Sequence, residues 1–198
     1  MFGSITHLLD QFGYAGIALL MFLENVFPPI PSELIMPLAG FDAARGDMNI
    51  VLVILSGSIG SLVGASLWYF LGRWIGEDRL KRWAGRHGRL LTLNASDIDK
   101  VNTWFDRHNE KAVLMGRLVP AVRTLISVPA GLFEMRLDRF LLFSSLGTAA
   151  WTALLTAAGY LLGEQYKAVQ GYLNPVSNIV VGAFVAFYLF RVVTWKPL

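Results

Sequence analysis

A chain of 198 residues that is 55% apolar, with a mean hydropathy of +0.51, lies outside the range of ordinary soluble domains and points to a membrane protein. The absence of cysteine excludes a disulfide framework, a thiolate metal site and a cysteine nucleophile. A net charge of +3 and a pI near 9.3 would suit a nucleic-acid partner, but the placement of the basic residues accounts for the charge without one, as shown below.

No basic leader or small-residue cleavage site precedes the first apolar run, so that run is expected to stay in the chain. It extends from Phe12 to Phe41 and carries Glu24, Glu33 and the prolines Pro28, Pro29 and Pro31. Three prolines remove backbone donors and forbid a continuous helix, leaving half-helices over Phe12–Val26 and Ser32–Phe41. Each is short for a crossing, so a re-entrant hairpin is expected. Irregular backbone at that depth must be covered by protein or reached by water.

Residues 49–72 are uncharged and long enough to cross a bilayer as a helix, with Gly60 and Gly64 spaced for close helix approach. Residues 77–111 alternate charges with Leu, Trp, Ile, Val and Phe, predicting two amphipathic helices at the interface, the second capped by Asn94 or Ser96. A second interrupted segment follows from Ala112 to Met135, with Arg117 and Arg123 on either side of Pro120 and with Pro129 closing its apolar part, both prolines being expected to break helix. A second long span is expected over 140–163 and a C-terminal span over about 176–195, giving at least three crossings.

The order of hairpin, short charged link and long apolar helix occurs twice. Gly60, Gly72 and Gly76 match Gly147, Gly159 and Gly163 at a constant offset of 87. An internal duplication is expected, with one repeat over about 12–76 and the other over about 112–163, joined by the amphipathic segment in a single membrane domain. Threading the chain through its spans inverts the second repeat relative to the first. That threading puts thirteen of the 17 Lys and Arg on one side and only Arg45 and Lys167 on the other, which makes the crowded side, and the C-terminus, cytoplasmic. The fold class is therefore an all-α polytopic membrane protein of two inverted repeats, and nucleic acid is not an expected partner. His7, His87 and His108 all fall in polar segments, so no metal or other cofactor is expected in the membrane.

Four charges remain at depth: Glu24, Glu33, Arg117 and Arg123. Each costs roughly 2.5–3.5 kcal/mol at a helix centre, so they are expected to face one another rather than lipid. On a regular helix Arg117 and Arg123 would point about 240° apart, but a break at Pro120 could turn both toward one cavity. A guanidinium fork matches a phosphate, and Thr124 and Ser127 could add hydroxyl donors. A lipid with a phosphate head would place that head among the hairpins and leave its tail outside. Phosphate arriving on an arginine would release Glu24 or Glu33 to take up a proton, coupling protons to lipid movement. The competing readings are a proton-coupled cation or drug transporter using the glutamates, a membrane enzyme acting on lipid phosphates, and a scaffold locked by buried ion pairs. A homo-oligomer is compatible with all of them.

The stretches FLENVFPPIPSELIMPLAG and GRLVPAVRTLISVPAGLFEMRLDRFLLFSSLGTAAW resemble the paired signatures of the DedA family: a Glu-bearing, proline-rich hairpin, and R-x-x-P-x-x-R followed by P-A-G and G-x-x-x-W. The likeness runs from about Phe12 to Gly163. It implies a bacterial inner-membrane protein, in the same superfamily as eukaryotic lipid scramblases, that carries undecaprenyl phosphate or another phospholipid across the membrane, often with dependence on the proton motive force. It also implies functional importance for Glu24, Glu33, Arg117 and Arg123. Some members have Asp where Glu33 stands, so the resemblance fixes charge there rather than length.

Overall fold

A computed structural model describes residues 2–26, 32–82, 95–119 and 122–162, and every regular element among them is helical. The helices are α1 (Phe2–Val26), α2 (Ser32–Ala44), α3 (Ile50–Ile75), α4 (Ala95–Arg117), α5 (Ser127–Leu132) and α6 (Leu137–Leu162). Residues 77–82 form a further helical stretch. The expected C-terminal span, Gly163, Asn94, and the breakers Pro28, Pro29, Pro31 and Pro120 lie outside the described residues.

The two expected spans are present as α3 and α6, each 26 residues and long and apolar enough to cross a membrane. At 1.5 Å per residue each is about 39 Å long, more than the roughly 30 Å hydrocarbon core. Asn49 caps α3, its side chain accepting from the Val51 and Leu52 amides at 2.9 and 3.3 Å. At the other end Gly76 takes φ 68°, a conformation that ends the helix and that glycine adopts without strain. The outward residues of α3 include Ile59, Val63, Leu67 and Phe70, whereas its buried face is Val53, Gly57, Gly60, Ser61, Gly64, Ala65, Tyr69 and Gly72. Large apolar residues outside and small or polar ones inside suit a helix surrounded by lipid and packed on other helices.

Those small residues set the architecture. A methyl group at Gly60 would stand 2.0 Å from the Ala18 carbonyl oxygen, and one at Gly64 2.6 Å from Asn25 Cβ, so α1 lies directly on α3. In the same way Gly147 of α6 receives Arg117 and Leu114 of α4. The short helices are exchanged. Gly72 of α3 meets the Val128 carbonyl and Gly131 of α5 meets that of Tyr69, while Gly159 of α6 meets the Pro37 carbonyl and Gly40 of α2 meets that of Thr156. The core holds two apolar clusters, one around Ile17, Met21, Ile35, Met36 and Val53, the other around Tyr69, Phe105, Val113, Met135 and Phe140.

Three local features differ from the sequence expectation. The first helix begins at Phe2 rather than Phe12, with a kink at Gly13 (φ 52°, ψ −125°) dividing it. The fourth runs without interruption from Ala95 to Arg117, across the change in composition at Lys111, because nothing at that point breaks a helix. Pro129 does not break a helix: it occupies the first turn of α5, where its missing N–H has no intrahelical partner to lose, and its carbonyl accepts from Phe133 at 2.9 Å.

Candidate functional site

The polar interior starts where α1 ends. Glu24 and Asn25 stand in its last turn, 5% and 0% exposed, and Asn25 faces α3 at Gly64 and Ser61. Asn25 Nδ2 donates to Ser61 Oγ at 2.7 Å, to Glu24 Oε2 at 3.1 Å and to the Met21 carbonyl at 3.2 Å. The Asn25 backbone carbonyl in turn accepts from Trp68 Nε1 at 2.7 Å. Asn25 therefore fastens the end of α1 to α3 and holds one oxygen of the Glu24 carboxylate.

The other Glu24 oxygen accepts from Arg123, and the two side chains form a buried ion pair. This contact joins the end of α1 to the turn after α4. The helix stops at Arg117 and the backbone turns through residues 122–126, with the Arg123 and Ile126 amides donating to the carbonyls of Val119 and Val122. The break removes the 240° problem, since Arg117 and Arg123 no longer share one helix.

Arg117, 2% exposed, has its aliphatic stem against Gly147. One terminal nitrogen donates to Ser127 Oγ at 2.9 Å and to Ser144 Oγ at 3.4 Å, and its guanidinium carbon stands 5.9 Å from the centre of the Phe140 ring. The charges of Arg117 and Glu33 both act on Glu24, and that of Arg123 on Arg117. The structure thus brings Glu24, Arg117, Arg123 and Ser127 into one buried cluster with Glu33 within electrostatic reach. Glu33 and Thr124 are half-buried, and Thr124 sits in the turn between the two arginines' segments.

Sequence reasoning missed Asn25, Ser61 and Ser144. Asn25 was signalled by its being an amide in an apolar run; the two serines lie at helical spacing among glycines, which is what an inward polar face looks like in a membrane helix. A separate pocket of about 580 Å³ opens at the end of α3, lined by Trp74, Glu77, Arg79, Arg82, Asn102 and Glu134 among others. It includes none of the clustered charges.

Comparison with known proteins places this arrangement in a family. The chain matches the VTT domain over residues 27–161, from the link between α1 and α2 to the end of α6. The protein belongs to the VTT-domain (DedA) family. It is 40% identical over 178 residues to a Lactococcus lactis protein named alkaline phosphatase-like protein, covering 89% of this chain and 83% of the relative. It is 34% identical over 176 residues to undecaprenyl phosphate transporter A of Staphylococcus aureus (89% and 87% covered) and 28% identical over 187 residues to the Bacillus subtilis protein of the same name (92% and 90%). No solved structure matches. For a VTT-domain chain the long apolar helices α3 and α6 are those of a membrane protein, as the sequence composition requires. Among the described residues of this family member, no group of three or more His, Asp or Glu stands close enough to hold a metal ion.

Proposed function

We propose that this VTT-domain protein moves a lipid phosphate, undecaprenyl phosphate as the favoured case, between the leaflets of the bacterial inner membrane. The observation that carries the reading is the buried contact of two guanidinium groups with one carboxylate and a serine: Arg123 on Glu24, Arg117 on Ser127. A cation transporter would want its glutamate free of arginine, whereas a phosphate carrier needs cations it can expose in exchange for a resident anion. Glu24 is that resident anion. A phosphate head entering between Arg117, Arg123, Thr124 and Ser127 takes over Arg123, and the displaced Glu24, with Glu33 nearby, takes up a proton. The relatives named undecaprenyl phosphate transporter A support the choice of lipid. A phospholipid scramblase would use the same groups without the proton.

In this reading α1–α2 and α4–α5 are re-entrant hairpins, each pointing its break toward the other, and with α3 and α6 they form two inverted repeats. Support comes from the reciprocal close approaches: Gly72 on Val128 and Gly131 on Tyr69 answer Gly159 on Pro37 and Gly40 on Thr156. The end of α3 that bears Arg73 and leads to Arg79 and Arg82, and the C-terminus, are cytoplasmic. The test is reconstitution in vesicles with a labelled polyprenyl monophosphate, measuring its movement between leaflets with and without a pH gradient. Wild type is expected to move it, faster with the gradient, and Arg117→Ala to slow it at least tenfold. No movement by wild type under any condition would end the proposal.

A further inference from the structure

Five buried side-chain atoms lack a hydrogen-bond partner among the described residues: Asn25 Oδ1, Ser32 Oγ, Arg117 Nε, Thr148 Oγ1 and Trp151 Nε1. Four of the five can donate. Buried donors in folded proteins almost always find an acceptor, so a surplus of this kind marks a place that an acceptor visits.

Two of the four donors, Thr148 and Trp151, lie on one face of α6, and a third, Arg117 Nε, belongs to a side chain packed against the same helix. Ser144, Thr148 and Trp151 lie at i, i+4 and i+7 along α6 and so on one face of it. Arg117 leans on the same stretch: its stem lies against Gly147, and one terminal nitrogen reaches Ser144 Oγ. Trp151 follows Gly147 by four residues and Thr148 by three, so it lies on the same side of α6, and its indole nitrogen is buried. Thr148 is 4% exposed, and it departs from its neighbours. Thr152 and Thr156 each donate to the carbonyl four residues back, at 2.9 and 2.7 Å, and Ser145 to that three back at 2.8 Å, whereas the Thr148 hydroxyl has no such partner. An indole N–H fourteen residues into a spanning helix, far from either interface, is likewise without an acceptor.

We propose that Thr148 and Trp151 complete the anion site that Arg117 begins, their hydroxyl and indole N–H donating to the terminal oxygens of a phosphate monoester. The proposal rests on the lipid-phosphate reading above and extends its site from the second hairpin onto α6. The Gly147-x-x-x-Trp151 pattern then has a chemical reason: glycine admits the arginine stem, and tryptophan, one turn on, supplies a donor on the same face of the helix.

The test is a binding measurement in detergent micelles with a polyprenyl monophosphate, the matching neutral polyprenol, and inorganic phosphate as competitor. Thr148→Val and Trp151→Phe remove the donors with little change of shape. Each is expected to weaken the monophosphate about tenfold while leaving polyprenol unchanged, with Thr148→Ser binding as wild type; a hydrogen bond to a charged group is worth at least that factor. Inorganic phosphate that competes in wild type, and about tenfold less well in both variants, supports the same conclusion for the free anion. Wild type binding monophosphate no more tightly than polyprenol overturns the lipid-phosphate reading and this proposal with it. Wild type that discriminates through Arg117, beside Thr148→Val and Trp151→Phe proteins that discriminate equally well, overturns this proposal alone. Should Thr148→Val fail to fold, Trp151→Phe carries the test.

Discussion

The contact between Glu24 and Arg123 gives a prediction whose size can be worked out. Both side chains are 6% exposed, so neither charge can turn to water when its partner is removed. At an effective dielectric near 20, opposite charges about 4 Å apart attract by about 4 kcal/mol, and removing one member of a buried pair costs about 3–5 kcal/mol because the survivor stays desolvated. Glu24→Gln keeps an oxygen for Asn25 Nδ2 but leaves Arg123 uncompensated; Arg123→Gln leaves the carboxylate uncompensated. Each is expected to lower unfolding free energy by about 3 kcal/mol, whereas the double variant, with neither charge, should lose much less than the sum. Reversible unfolding in mixed micelles measures all four corners of the cycle. A coupling of about 2 kcal/mol or more is expected. Additivity within about 0.5 kcal/mol would show that the two groups do not hold each other, and the exchange of Glu24 for phosphate would lose its basis.

The exchanged short helices predict that Gly131→Ala and Gly159→Ala each destabilise the fold by about 1–3 kcal/mol, since the added carbon would stand 1.9 Å from a backbone oxygen and the helices must part by more than an ångström. Unfolding within about 0.5 kcal/mol of wild type would refute the close approach. The chain has no cysteine, so single introduced cysteines report sidedness directly. Arg45→Cys and Arg79→Cys, at the two ends of α3, should be labelled by an impermeant reagent from opposite faces of the membrane, and labelling from one face would show that α3 does not cross.

The long helices were legible because charge is scarce in spans: α3 and α6 coincide with the uncharged blocks at 49–72 and 140–163 to within three residues at each end. The end of α1 at Val26 and the start of α2 at Ser32 agree with the half-helices expected on either side of the proline-rich stretch, whose prolines lie outside the described residues. The extent of α4 was not, because the residues after Lys111 change in polarity with their surroundings while remaining good helix formers, and composition reports environment rather than backbone. The meeting of Glu24 with Arg123 followed from cost alone, as buried charges must be compensated. Which atoms would do so did not follow. Asn25 shares its amide among Glu24, Ser61 and Met21, and Arg117 turns to Ser127 and Ser144, partners fixed by how glycine gaps let helices settle. Short-range spacing carries no record of such gaps between partners 36 or 27 residues apart in the chain.

The crossed placement of α2 on α6 and α5 on α3 bears on ancestry and on engineering. A half-length precursor folded alone would have left its long helix bare along the groove its missing counterpart now fills. On the inverted-repeat proposal, it would have become whole by embracing a second molecule lying upside down in the same bilayer. Two separately expressed halves of the present chain should behave likewise: inert apart, and competent once they are allowed to find each other.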